Sequence, residues 1–282
     1  MGKIHTICIC GSGTMGTGIA QVSAQSGFET IVYDVAQSYL DTSKAKIEKV
    51  LEMLLIKEKI TTVQKTDTLQ RLHFTTNIDD CKAGLIIEAI IENKEAKISL
   101  FKKIEAINDA DTIFATNTSS IFVSDIAAGL KNRERVAGMH FFNPAPLLKL
   151  VEIIRAENTS EDTINELVAV AKQMKKTPVV CKDAPGFIVN RVARHYYLEA
   201  LFLLENEKIP VENIDAVMEA SGFRMGPFKL MDLIGIDINY ATSNIVWNAL
   251  DKPARLKPSA IQKSKVEKNE LGLKTGIGFY NY

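Results

Sequence analysis

Neither sign of charge is in excess in this chain, where 34 Lys and Arg are matched by 34 Asp and Glu over 282 residues. Nothing global therefore points to nucleic acid or an anionic membrane, and an anionic ligand has to be met by a local cluster. No apolar run approaches the ~20 residues of a membrane span. The opening residues, MGKIHTICIC, lack the charged region, long apolar region and cleavage site expected of a signal peptide. Cysteine is scarce: Cys8, Cys10, Cys81 and Cys181 show no CxxC spacing and no neighbouring His cluster. That argues against a metal site and for reduced thiols in a cytoplasmic protein. Internal repeats and low-complexity segments are missing as well.

Two short matches carry little weight. MGKIHT fits the loose pattern for myristoylation at Gly2, but a strand follows almost at once and would hold that end in a sheet. NTS at Asn117 and at Asn158 fits the glycosylation triplet, yet no export signal brings either to that machinery.

What is present is a large apolar fraction, 46%, in a chain long enough for about two domains. The first half alternates strand and helix patterns. HTICIC reads as a strand, TGIAQVSAQSG as a helix closed by Gly27, and ETIVYD as the next strand. A lysine-bearing helical stretch runs from Ser38 to about Ile60. LHFTT and GLIIEAI follow as strands and NKEAKISLFKKIEAI as an amphipathic helix, before TIFATNTSS, RVAGMHFF and LLKLVEII. This alternation implies an α/β, Rossmann-type, doubly wound and mostly parallel sheet. Beyond TPVVCKD the patterns turn helical, apart from a short possible strand in GIGFYNY. The expected boundary puts a dinucleotide-binding domain at 1–183 and an all-helical C-terminal domain, for substrate and dimerisation, at 184–282.

Gly11, Gly13 and Gly16 form GxGxxG between the first strand and the first helix, and Asp34 ends the next strand 18 residues after Gly16. Gly11 permits the tight turn, Gly13 lets backbone approach a pyrophosphate, and Gly16 lets helix and strand pack closely. The helix start at Thr14 and Met15 offers N–H groups and a positive dipole end to phosphates. Asp34 would accept from the adenosine ribose hydroxyls and repel a 2′-phosphate, which favours NAD over NADP. A tight turn without ligand is the plainer alternative, but strand, helix and acidic residue all agree with the motif.

His140 sits near the end of a strand in GMHFFNPAP, and ligands of open α/β sheets bind beyond the carboxyl ends of strands. Ser119 lies just past the end of another strand. Glu152 follows His140 by 12 residues in an otherwise apolar run, where a carboxylate needs a partner. A Glu on one imidazole nitrogen would fix the tautomer and leave the other nitrogen to exchange a proton, as oxidation of a secondary alcohol requires. A core histidine satisfied by its own turn is the competing reading. His5, His73 and His195 lack such a setting and read as structural.

GSGTMG, TNTSS, HFFNPAP, LVEI, DAPGFIVNR, MGPF and KTGIGFY occur in this order, and the chain thereby resembles the 3-hydroxyacyl-CoA dehydrogenases, most closely the short bacterial 3-hydroxybutyryl-CoA enzymes. The resemblance runs from the first strand to Tyr282. It implies an NAD-dependent exchange of hydride between (S)-3-hydroxybutyryl-CoA and acetoacetyl-CoA. By the same resemblance His140 is the catalytic base, Glu152 its partner, Ser119 a contact of the substrate oxygen, and Asn190 the residue completing the site. Asn143, Glu92 and Lys97 resemble residues lining the nicotinamide-ribose end of the cofactor, and Lys57 and Lys59 resemble contacts of the CoA phosphates. Ser12, Leu148 and Arg224 depart from the usual pattern without touching a proposed catalytic role.

Each role has a plainer alternative. Ser119 could cap the helix before IFVSDIA, Asn190 could be an interdomain hydrogen-bonding residue, and Glu92, Lys97 and the lysines of the long helix could be solvated. ALFLLENEKI and IVWNALD offer apolar faces for a homodimer or larger symmetric assembly, or for packing on the first domain. A dehydrogenase of a free 3-hydroxy acid or sugar acid would keep the same fold and His–Glu pair. A non-catalytic NAD(H) sensor or structural protein would keep the fold alone.

Overall fold

The computed structural model describes residues 4–282, so the acylation pattern at Gly2 lies outside the described residues. The chain divides into two compact units, Met1–Asp183 and Ala184–Tyr282. Among the described residues no helix is long and apolar enough to cross a membrane.

The first unit is built on eight strands: β1 Thr6–Cys10, β2 Glu29–Tyr33, β3 Leu72–Thr75, β4 Leu85–Glu88, β5 Ile113–Thr116, β6 Val136–Phe141, β7 Leu150–Arg155 and β8 Thr177–Lys182. Their order in the sheet is β3-β2-β1-β4-β5-β6-β7-β8. β1 to β6 run parallel, β7 is antiparallel to β6, and β8 runs parallel to β7. Helices α1 Thr14–Gln25, α2 Gln37–Ile56, α3 Thr62–Gln70, α4 Lys94–Glu105, α5 Val123–Ala127 and α6 Glu161–Gln173 join them. Strands covered on both faces read as unbroken apolar runs, and β4 and β5 are buried at every position. Ile7 and Ile9 of β1 point into one core with Ile19 of α1 and Leu40, Ile47 and Leu51 of α2. Each such side chain contributes ~1.5–3 kcal/mol on burial. Because β1 has β2 on one side and β4 on the other, the strand order reverses there, and ligands of open α/β sheets bind beyond the strand ends at such a point.

The long helical stretch is shorter than its sequence suggests. α2 stops at Ile56, and the chain reverses through Glu58, whose φ of 52° is left-handed. Two bonds close the end, from Lys59 N to Leu54 O (2.8 Å) and from Glu58 N to Leu55 O (2.9 Å). That is a Schellman closure with Glu in the place glycine usually takes. Lys57 therefore caps α2 and Lys59 lies beyond it, so neither sits on the helix. α3 is a helix the sequence reading missed. Its start is a reciprocal capping box between Thr61 and Gln64, and only Thr68 is buried along it, so it carries almost no apolar periodicity.

The folding of the first unit also gathers three cysteines. Cys8 and Cys10 project from one face of β1, and Cys81 meets them from the turn before β4. Spacing in the sequence gave no sign of this.

The second unit consists of α7 Val189–Asn206, α8 Val211–Ala220, α9 Pro227–Ile234, α10 Ile236–Ala249 and α11 Ala260–Glu267. The terminal GIGFYNY forms two isolated bridges, Gly272 with Ile277 and Ile277 with Asn281, instead of a strand. Asp232 holds that segment by accepting from Phe279 N, Tyr280 N and the Tyr282 hydroxyl. Asp215 does the same for the start of α9, accepting from Phe228 N and Lys229 N. A side chain at Gly226 would stand 2.4 Å from Asp215, and one at Gly278 2.2 Å from Asp232. MGPF and TGIGFY are thus packing motifs around two buried aspartates.

Candidate active site

The carboxyl ends of the parallel strands carry the polar residues of the first unit. At the end of β1, Gly11 has φ of 100°, and a Cβ there would lie 2.7 Å from Ala89 O. A Cβ on Gly16 would lie 1.7 Å from Gly11 O. Both are required by the protein's own packing. Gly13 differs, since a Cβ there would meet nothing within 4 Å. The chain itself makes no use of that bare position, so the free space over the turn suits a close-lying ligand. Gly13 is also the N-cap of α1, with no side-chain cap and no acidic residue in the first turn. The N–H groups of Thr14 and Met15 therefore open that helix with its positive end uncompensated, as an anion such as a pyrophosphate requires.

Asp34 directly follows β2 and ties the turn down. Its Oδ2 accepts from Ser12 N (2.7 Å) and Ser12 Oγ (2.8 Å), and its Oδ1 from Val35 N (2.8 Å). A carboxylate has about four acceptor positions, so one remains for a sugar hydroxyl.

At the ends of β4 and β5 a second cluster forms around Lys97. Its side chain is 1% exposed and pairs with Glu88 Oε1 at 2.6 Å and with Glu92 Oε2 at 3.2 Å. Glu88 also accepts from Thr116 Oγ1 (2.7 Å) and Ile90 N (2.7 Å). Burial pushes the Glu88 carboxyl up despite Lys97. Burial acts the same way on Glu92, but Lys97 and the hydroxyls of Thr118 and Ser120 outweigh it and hold that carboxyl down. Glu92 Oε1 gathers the whole NTSS turn, accepting from Thr118 Oγ1 (2.5 Å), Ser119 N (3.0 Å) and Ser120 Oγ (2.8 Å). Lys97 is therefore not a solvated surface charge, and Glu92, though its side chain is 37% exposed, is tied into the cluster by these bonds. Ser119 does not cap a helix either, because α5 begins at Val123 with Phe122 at its N-cap. Its hydroxyl has no partner among the described residues.

His140 on β6 and Glu152 on β7 stand directly opposite each other in the antiparallel register. His140 Nδ1 lies 2.8 Å from Glu152 Oε2, with the side chains 8% and 1% exposed. Phe142 packs beside the imidazole, ring centroids 4.6 Å apart. Such a pair orients the ring and makes its Nδ1 the hydrogen-bonded nitrogen, which leaves Nε2 as the one to exchange a proton. Asn117 Oδ1 accepts from Phe141 N (2.8 Å) and so fixes the end of β6 against β5.

The remaining expected residues have settings of their own. Asn143 is exposed just past β6, where it precedes Pro144 in a cis peptide. Lys59 lines a cavity of about 410 Å³ with Arg71, Lys149, Lys175 and Lys176, facing the single acid Asp67. Lys57 does not line it. Asn190 belongs to the second unit, in the first turn of α7, and its carbonyl accepts from Arg194 Nε (2.9 Å). Glu88 and Asn117 were missed by sequence reading. Glu88 was legible by the rule that singled out Glu152, a lone carboxylate in an apolar run, and Asn117 offered no such signal.

The chain matches known proteins along nearly its whole described length. The NAD binding domain profile of 3-hydroxyacyl-CoA dehydrogenase matches residues 6–184, and the profile of its C-terminal domain matches residues 186–282. The chain is 42% identical over 282 residues to the 3-hydroxyadipyl-CoA dehydrogenase of Escherichia coli K12, an alignment covering 99% of this chain and 59% of that protein. It thus spans about three fifths of that relative's length. It is 40% identical over 276 residues to the probable 3-hydroxybutyryl-CoA dehydrogenase of Deinococcus radiodurans, covering 97% and 99% of the two. The crystal structure of the (S)-3-hydroxybutyryl-CoA dehydrogenase of Ralstonia eutropha superposes with a TM-score of 0.95 at 36% identity, over 99% of each chain.

Proposed function

The chain belongs to the 3-hydroxyacyl-CoA dehydrogenase family, and on that footing we propose that it interconverts (S)-3-hydroxybutyryl-CoA and acetoacetyl-CoA with NAD(H). The observation that carries this reading is the buried His140–Glu152 pair at the carboxyl end of the parallel strands. NAD, when bound, supplies the acceptor for hydride and, reduced, the donor.

The protein's residues supply the rest. In oxidation His140 Nε2 takes the proton of the 3-hydroxyl, while Glu152 on Nδ1 stabilises the imidazolium that forms. In reduction the same nitrogen returns the proton to the 3-keto oxygen. The uncommitted hydroxyl of Ser119 donates to that oxygen, and Asn190 of the second unit is assigned as a further donor. Glu92 sets the NTSS turn and so the place of Ser119, and Lys97 keeps Glu92 ionised for that task. Gly11, Gly13, Gly16, Thr14 and Met15 receive the pyrophosphate, Asp34 the adenosine ribose, and Asn143 the nicotinamide-ribose end. Lys59 and the basic cavity it lines meet the phosphates of CoA, with Lys57 beside them at the end of α2. Phe202 in ALFLLENEKI and Ile245 in IVWNALD, 52% and 38% exposed, belong to the apolar surface for a second copy of the chain.

The test is loss of NADH absorbance with acetoacetyl-CoA, with free acetoacetate and NADPH alongside. Turnover confined to the thioester with NADH is the expected result. Activity on the free acid alone moves the protein to dehydrogenases of free hydroxy acids, and NADH binding without turnover of either moves it to sensing. Equal use of NADPH overturns the role given to Asp34.

A further inference from the structure

We propose that Cys8, Cys10 and Cys81 form a three-sulfur site for one trivalent, thiophilic ion of the arsenic(III) class. Nothing in the dehydrogenase chemistry uses these thiols. Side chains alternate along a strand, so Cys8 and Cys10 share one face of β1 while Ile7 and Ile9 take the other into the core. Their sulfurs are 3.8 Å apart. Cys81 is brought up by the single 3₁₀ turn Ile78–Asp80 and fixed there by Asn108 Nδ2 donating to its carbonyl (2.7 Å). All three sulfurs lie within 4.8 Å of one another, and all three residues are 0% exposed.

This arrangement selects its occupant. Cys8 and Cys10 are two residues apart on a strand, about 6.6 Å between Cα atoms, at the far edge of what a disulfide spans. Zinc prefers a fourth ligand, and among the described residues no His, Asp or Glu joins the three sulfurs. Charge narrows the choice further. Three thiolates leave a monovalent or divalent ion with net negative charge, costly where no water reaches. Beside Cys81 in the chain Asp79, Asp80 and Lys82 are all at the surface, and the buried cation near Cys10, Lys97 on the Glu88 that pairs with Cys10 across the strands, is already matched by Glu88 and Glu92. Arsenic(III) leaves no net charge. Arsenous acid and three thiols give As(SR)₃ and three waters, As(OH)₃ + 3 RSH → As(SR)₃ + 3 H₂O. Three As–O bonds break, three As–S bonds form, each thiol proton leaves in a water, and no oxidation state changes.

Entry needs only a local opening. Cys81 lies beneath exposed Asp80 and Lys82, in a turn held by Asp80 to Thr75 Oγ1 (2.6 Å) and to Asn77 Nδ2 (3.3 Å). Such short surface turns open at low free-energy cost compared with the sheet.

The experiment incubates the reduced full-length protein with stoichiometric arsenite, removes the excess, and weighs the intact protein under native conditions. One arsenic less three hydrogens should be retained per chain, equally in Cys181→Ser, whose thiol stands apart. Cys81→Ser and Cys8→Ser should retain it about tenfold less or worse, since each loses one arm of the chelate. No retention by the wild type, or undiminished retention by Cys81→Ser, overturns the site.

Discussion

Glu152 in the sheet unit and Asp232 in the helical unit are both 1% exposed, yet their partners differ in kind. Asp232 accepts from two backbone amides and from the Tyr282 hydroxyl. Amides do not titrate, and burial together with the charge of Asp232 pushes that tyrosine up to about 12, so neither kind of donor changes its charge near neutral pH. Asp215 has the same surroundings, two amides and the hydroxyl of Tyr280. Glu152 has among its partners an imidazole, a ring able to take up and give back a proton. A buried carboxylate on fixed donors builds architecture, whereas one on a titratable partner is placed for chemistry. Glu88 lies between the two cases: its partner is Lys97, which links it to the NTSS turn through Glu92.

Substitutions should separate these uses. The largest effect is expected for His140→Ala, which removes the group that moves the proton. Steady-state assays with acetoacetyl-CoA should find kcat down by about 10³-fold or more, with NADH affinity measured by fluorescence titration nearly unchanged. Glu152→Gln keeps a hydrogen-bonding side chain but not the charge that stabilises imidazolium, and kcat should fall about 10²-fold. Asp232→Asn should invert the pattern. It turns one acceptor into a donor against a backbone N–H, so urea unfolding should show a loss of about 1–3 kcal/mol, while turnover per folded molecule stays near wild type. A comparable kcat loss there would erase the distinction between the two carboxylates. The smallest effect belongs to Lys57→Glu with Lys59→Glu, which should raise the KM for the CoA thioester about threefold to tenfold, less at high salt, and leave kcat alone.

Much of the sheet unit was legible because its constraints are steric. Gly11 and Gly16 cannot carry a Cβ without meeting backbone, and this forces the same residues into the sequence motif. The meeting of His140 and Glu152 was legible as two polar residues in apolar runs, but the antiparallel turn of β7 that sets them opposite was not. α3 escaped notice since helix periodicity reports a buried face, and α3 buries only Thr68. The true end of α2 was hidden because Glu58 takes a left-handed conformation that its side chain does not advertise. Cys81 reaches Cys8 and Cys10 through tertiary folding alone, so no spacing could disclose it. In the helical unit MGPF and TGIGFY were read as family marks, and only the structure shows the two aspartates that require those glycines.

The central claim is that His140 and Glu152 act as one unit, and a double-mutant cycle tests it most directly. kcat would be measured for wild type, His140→Ala, Glu152→Gln and the double variant, each with its NADH affinity. If the carboxylate works only through the imidazole, the double variant should be no slower than His140→Ala, because Glu152 has nothing left to act on. Losses that multiply, with the double variant about 10²-fold below His140→Ala, would contradict the pairing and give Glu152 a role of its own.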